Sequence, residues 1–187
     1  MASVLDDELY WRFSLAVYPA PEVARSCLAL QAQIGLDVNV LLMALLAARW
    51  HQRAIGHDEI GQADARVVQW RQEIVVPLRR IRSRLKSGPP PAPQAHTDVL
   101  RTEIKQAELH AERIEQQVLA EWIDGLEACP GSQEACGEAC LDTAGRVVAL
   151  YRDRMSTSVD MDPLLDCARI VAHAAAGCRD AGLPAPR

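Results

Sequence analysis

The sequence predicts an all-α fold: a helical bundle with a long antiparallel helical hairpin and a second helical hairpin at the C-terminal end. Three observations lead there. Aromatic residues make up only 4% of the 187 residues, and valine and isoleucine rarely alternate with polar residues as they would in half-buried strands. Apolar residues instead recur at steps of three and four through two long stretches, Val67 to Leu85 and Leu100 to Val118. Prolines, glycines and capping residues interrupt the chain at intervals that suit helices. A chain of this length buries a real core, as one domain or as one domain with an appendage.

Taken in order, a first helix is expected from Asp6 to Tyr18, stopping before the "PAP" of residues 19–21, because each proline restricts the residue ahead of it. It has two apolar faces: Leu9, Phe13 and Ala16 on one, Trp11, Leu15 and Tyr18 on the other. A second helix should start at Pro21, where the missing N–H costs nothing. It carries Val23, Cys27, Leu30 and Ile34 on one stripe and ends at Gly35. A third, Val38 to Ala48, is apolar nearly all round, the mark of a helix buried in a globular core. Its eleven residues fall well short of the roughly 20 that a membrane span requires. Asp37 reads as its N-cap, with Asn39 in the same first turn; a pair of polar ligands at a pocket mouth is the functional alternative. His51, His57, Asp58 and Glu59 fall in a glycine-containing connection and match no metal-ligand spacing.

A long helix should then run from Gln62 to Lys86, with Val67, Trp70, Ile74, Leu78, Ile81 and Leu85 forming a packing seam that Pro77 kinks. The stiff stretch "SGPPPAPQAH", residues 87–96, connects it to another long helix from Asp98 to Leu126. That helix presents Leu100, Ile104, Ala107, Ala111, Ile114 and Val118 as the matching seam. Charge supports the pairing. Residues 62–86 hold seven Arg or Lys against Asp64 and Glu73, a balance of +5, whereas residues 97–127 hold three basic and eight acidic side chains, a balance of −5. Arg80 and Arg84 on one side of the Ile81 seam, with Arg82 and Lys86 on the other, are placed to meet the glutamates across it. Nucleic acid is not expected as the partner of this basic run, because the chain's net charge is −5 and aromatic stacking residues are absent from the segment after Trp70.

Residues 1–128 are read as one helical domain containing the 62–126 hairpin, and residues 129–187 as a cysteine-rich helical extension. In "CPGSQEACGEAC", Ser132 can cap a helix reaching Arg154 with Cys136, Cys140, Ala144, Val147 and Tyr151 on a stripe. Asp162 and Pro163 begin the last helix, whose stripe is Leu164, Cys167, Val171, Ala174 and Cys178. A turn near residue 158 would fold the two helices back and bring Cys129, Cys136, Cys140 and Cys178 together at one end, with Cys167 far along the hairpin. Four thiols are the number that tetrahedral zinc or an iron–sulfur cluster takes. Buried cysteines acting as small apolar residues, or a disulfide or redox pair, are the competing readings, since the ligand spacing is not a standard one.

The residues "YWRFSLAVYPAPEVARSCLALQAQIGLDVNVLLMALLAARW", "WRQEIVVPLRRIRSRLK" and "IKQAELHAER" carry a resemblance. Their aromatic-Ser-Leu start (Trp11, Phe13, Ser14, Leu15), Leu30-Gln31 pair, Asp37-to-Asn39 run and Pro77-to-Arg79 step resemble an uncharacterised proteobacterial family of small proteins, a domain of unknown function. The resemblance covers residues 10 to 120 and implies no activity, cofactor or catalytic residue.

Signatures of known chemistry are missing from the sequence: no glycine-rich phosphate loop, no Gly-x-Ser-x-Gly, no His-Glu-x-x-His and no Glu-x-x-His. In "AELHAER" the residues Glu108 and Glu112 share a helix face that His110 does not. Trp11, Trp50, Trp70 and Trp122 read as core or interface anchors. No secretory signal pattern opens the chain, so a cytoplasmic location is expected. Three functional classes remain, in this order: an interaction or regulatory module whose partner is another protein or a second copy, a metal or thiol-redox protein using the cysteines, and an enzyme with a site at Asp37, Asn39 and His51.

Overall fold

A computed structural model describes residues 8–87, 94–127, 136–156 and 159–178. Among them the fold is all-α: α1 (Leu9–Val17), α2 (Val23–Ile34), α3 (Val38–His51), α4 (His57–Trp70), α5 (Val76–Arg84), α6 (Gln94–Asp124), α7 (Cys136–Asp153) and α8 (Met161–Gly177). A π-helical turn, Arg71–Val75, joins α4 to α5 in one rod. No helix is long and apolar enough to cross a membrane among the described residues.

Helix α3 is the centre. Every residue from Asn39 to Ala48 is buried, and α6, α7, α8, α1 and α4 all pack around it. Burial on all sides explains why it is apolar all round, and Asp37 caps it as the sequence predicts, accepting from the backbone N–H groups of Asn39 and Val40 at 2.8 and 3.4 Å. Val23, Cys27, Leu30 and Ile34 of α2 are all in the core, and Gly35 closes that helix at φ +64°, where glycine avoids the Cβ penalty of the left-handed region.

The C-terminal helices are part of the same core. The stripe Cys140, Ala144, Val147 and Tyr151 of α7 is buried, α7 and α8 lie against each other, and both meet α3 and α2. The loop between α3 and α4 is tied to α7, since Ile55 donates its N–H to Thr143 Oγ1 at 3.0 Å and accepts from Arg146 Nη1 at 3.0 Å. Asp160 caps α8 by accepting from the N–H of Asp162, two residues ahead of the start that the Asp-Pro pair suggested.

Several expectations are corrected. Helix α1 buries Leu9 and Phe13 as expected, together with Tyr10, Ser14 and Val17, while Ala16 is exposed, because the core lies along the Tyr10–Val17 edge. Helix α4 begins at His57, so His57, Asp58 and Glu59 form its first turn instead of a loop. Glu59 Oε2 accepts the Gly56 N–H at 2.7 Å, and Arg53 grips the same carboxylate with two hydrogen bonds of 2.9 and 2.7 Å. The helix after the proline-rich connector starts at Gln94. The first residues of the predicted first helix, the connector at 88–93, Ser132 and the turn near residue 158 lie outside the described residues.

The hairpin is antiparallel, and only part of its predicted apolar seam, including Val67, Leu85 and Ala111, is buried. Ile74, Ile81, Leu100 and Ile114 are exposed by 37, 47, 44 and 44%. The π-helical turn accounts for the first half of this. Pro77 has no N–H, and its ring would strike the carbonyl four residues back in a regular helix. The wider turn, in which the Val76 N–H reaches the Arg71 carbonyl, admits an extra residue. Inward positions therefore step by four through Val67, Arg71, Val75 and Arg79, so that Ile74 and Ile81 turn outward, while Leu85 is again on the buried side.

Candidate functional site

The π-helical turn carries arginines into the interface, and α6 turns its glutamates to meet them. Arg79 Nε donates to Glu108 Oε1 at 2.9 Å and Arg79 Nη2 to Glu112 Oε1 at 2.5 Å, while Arg82 Nε donates to Glu108 Oε2. The pairing of basic and acidic segments is therefore present, but through Arg79 and Arg82; Arg80 and Arg84 are exposed. Burial works against the Glu108 charge, and its hydrogen bonds from Arg82 and Arg79 outweigh that, holding its carboxyl below the usual range. Glu112 goes the other way: burial, opposed by Arg79, raises it.

Deeper in, the same rod meets the start of α3. Arg71 Nη1 donates to Asp37 Oδ2 and to Asp64 Oδ1, both at 2.7 Å, and lies 3.3 Å from the Tyr151 hydroxyl. Tyr151 donates to Asp64 Oδ1, and Arg154 Nη1 to Asp64 Oδ2 at 2.5 Å. Asp37 is only 5% exposed and Asp64 2%. Burial raises Asp64, but the bonds from Tyr151, Arg71 and Arg154 more than offset it, so its carboxyl sits below the ordinary range. Burial disfavours the Arg71 charge as well, and Asp37, Tyr151 and Asp64 reverse that and raise its pKa. Burial, then the charge of Asp37, raises Tyr151, which stays a neutral donor.

Beside Asp37 lies a neutral acid. Asn39 Nδ2 donates to Glu115 Oε2 at 2.7 Å, Gln116 Nε2 donates to Asn39 Oδ1 at 2.8 Å, and Ser14 Oγ donates to Gln116 Oε1 at 3.1 Å. Glu115 is 1% exposed and its Oε1 accepts from no donor, as suits an oxygen that carries a proton itself. Burial first, then the charge of Asp37 and a hydrogen bond with it, push the Glu115 carboxyl up to about 9, against the pull of Asn39. Arg71 thus lies between the carboxylates of Asp37 and Asp64, half-exposed Arg154 closes the outer side of Asp64, and Glu115 stays protonated at neutral pH.

The other sequence candidates fall apart spatially or lie elsewhere. Asp37 and Asn39 sit at one end of α3 and His51 at the other, about 20 Å away along its axis. His51 Nε2 donates to the Ile123 carbonyl at 3.2 Å; burial holds its pKa below the usual value. Cys136 and Cys140 neighbour each other on α7, and Cys140 Sγ lies 4.0 Å from the Leu45 carbonyl. Arg49 Nη1 connects Cys136 Sγ, at 4.0 Å, to the Ala175 and Ala176 carbonyls at 3.3 and 2.6 Å, next to Cys178 at the end of α8. Cys129 lies outside the described residues. Among the described residues no three His, Cys, Asp or Glu side chains are grouped to hold a metal ion. Burial, then the neighbouring Cys136, pushes the Cys140 thiol up to about 12, and burial pushes Cys27 to about 12. Both are protonated at neutral pH, unlike reactive thiolates.

Residues 9–119 match the family described as Protein of unknown function (DUF2390). The chain belongs to this family. No curated protein and no solved structure matches it. The DUF2390 segment contains Asp37, Asn39, Asp64, Arg71, Glu108 and Glu115, so the buried network is built mainly from it. Tyr151 and Arg154, which complete the Asp64 end, come from beyond the segment's last residue, Leu119. The sequence reading missed Glu115, Arg71 and Asn39 as one network. The available signal was the charge balance of the two segments together with Glu108 and Glu115 seven residues apart on one face.

Proposed function

We propose that this DUF2390 protein is a helical docking module, and that the outer side of the α5–α6 hairpin is its docking face. One observation carries this: Ile74 in the π-helical turn, Ile81 on α5, and Leu100 and Ile114 on α6 are exposed although their spacing is that of a packing seam. They also lie on the same side. The hydrogen-bonded residues Arg79 and Arg82 pair with Glu112 and Glu108 in antiparallel order. Antiparallel helices wind in opposite senses when viewed from one end. Positions one residue before the facing ones therefore project to the same side on both helices. Ile74 and Ile81 precede Val75 and Arg82; Ala107 and Ile114 precede Glu108 and Glu115. The residues that follow the facing positions, Leu109 and Gln116 on α6, turn the opposite way, toward α1 and α3, as the Ser14–Gln116 bond requires. A shallow open groove of about 440 Å³ lined by His96, Val99, Leu100 and Glu103 continues the face along α6.

The enzymatic reading has less support. Catalytic groups must reach a substrate, and Asp37, Asp64 and Glu115 are at most 5% exposed, with both aspartates held by Arg71. A photo-crosslinking residue placed at position 81, with another at exposed Glu138 as control, tests the docking face in cells that make the protein. The expected result is a protein adduct at 81, absent at 138 and lost when Leu100 and Ile114 are changed to Asp. Equal labelling at both positions, or none at 81, rules the face out.

A further inference from the structure

We infer that the occupant of this face is a second copy of the same chain, packed so that α5 of one copy lies over α6 of the other; this rests on the docking reading above. Charge decides between the two ways a pair of hairpins can meet. Arg80 and Arg84 are exposed on α5, whereas Glu103 is exposed on α6 beside Leu100. Stacking like on like would set the basic α5, with its exposed Arg80 and Arg84, against the partner's equally basic α5. A two-fold axis parallel to the helices instead places α5 over the partner's α6, running antiparallel, with Arg84 near the partner's Glu103. The result repeats across the interface the alternation already present inside the hairpin, where Arg82 meets Glu108. It also completes a four-helix arrangement in which Ile74 lies level with the partner's Ile114 and Ile81 with the partner's Ala107.

The surface is suited to this by its spacing. Ile74 and Ile81 are seven residues apart, and Leu100, Ala107 and Ile114 continue at the same interval, the repeat that keeps one face of a helix against a neighbour over several turns. Inside the hairpin ion pairs take much of the seam, and Ile74, Ile81, Leu100 and Ile114 are left 37–47% exposed. Pairing of two copies buries them and sets opposite charges at the rim.

The full chain, examined by light scattering over a concentration series, should have twice the mass of the 20.5 kDa chain. Ile81→Asp with Ile114→Asp should give a monomer. Arg84→Glu and Glu103→Arg should each weaken dimerisation by about tenfold, because the two-fold repeats every reversal twice, and combining them should restore it. Arg84 is exposed, so R84E keeps the test open where the aspartates disturb folding. A wild-type chain that stays monomeric at several hundred micromolar overturns the inference; so does a dimer indifferent to both the aspartates and the charge reversals. A monomer that still gives a position-81 adduct with a different protein overturns the second copy alone, and a monomer without an adduct removes the docking face as well.

Discussion

Replacing Arg71 by Met tests whether the buried network holds the rod against α3. Methionine keeps the apolar stem's volume and removes the guanidinium that two sealed carboxylates share. The losses are unequal. Asp64 keeps Arg154 and the Tyr151 hydroxyl, whereas Asp37 loses its guanidinium and keeps the backbone N–H groups of Asn39 and Val40 and its hydrogen bond with protonated Glu115. The cost is therefore that of one buried charge left without its partner, about 3–5 kcal/mol, out of a total stability on the order of 5–15 kcal/mol. In a chain of this size that corresponds to a melting point lowered by about 6–20 °C. Urea unfolding at pH 7 measures it, and the slope with denaturant should not change, since the surface exposed on unfolding is the same. Adding Asp37→Asn to the variant removes the stranded charge and should recover part of the loss. The deficit also depends on pH in a fixed direction. The carboxyl of Asp64 is held low in the folded protein, so the stability it contributes is present above the ordinary aspartate range and is lost as pH falls through the folded value. The variant gives up part of that contribution, and its deficit should be largest near neutrality and shrink toward pH 3. A loss below about 1 kcal/mol, or a double variant whose two losses simply add, would refute the argument that Arg71 neutralises a buried pair.

Glu115→Gln should remove a decline of stability with rising pH. The folded carboxyl titrates at about 9 and an unfolded one near the usual glutamate value, so between them only the folded state holds the proton and stability falls as pH rises. The wild-type decline should approach ~1.4 kcal/mol per pH unit at most, and the glutamine variant, which cannot ionise, should lack it and overtake the wild type above neutrality. Urea midpoints at pH 5, 7 and 8.5 that run parallel for the two proteins would contradict this. Two backbone positions should respond in opposite directions in thermal melts. Gly35→Ala, at φ +64° with open space around the added methyl, should cost about 1–2 kcal/mol from strain alone, whereas Glu22→Gly, at φ +62°, should gain about 1 kcal/mol. Its pair with Arg25 is solvent-exposed and gives up little.

Most of the helices could be read from the sequence because their signals are carried by neighbours in the chain. Asp37 caps α3, Gly35 ends α2, and the stripes Val23–Cys27–Leu30–Ile34 and Cys140–Ala144–Val147–Tyr151 are buried as their spacing says. Each of those choices compares a side chain with water, and an apolar stripe has one answer. The α5–α6 hairpin offered two. Its apolar residues and its charged residues sit one place apart on both helices, so a rotation of about 100° exchanges one set for the other at the interface. The sequence determined that the two segments pair, through their opposite charge. Tertiary structure decided which faces meet, for two physical reasons. Pro77 is accommodated by a π-helical turn, after which Arg79 and Arg82 meet the glutamates of α6 while Ile74 and Ile81 stay exposed. And the start of α3 presents Asp37 to Arg71, while Asn39 beside it engages Glu115, which fixes the rotation of both rods around partners 34 and 76 residues away along the chain.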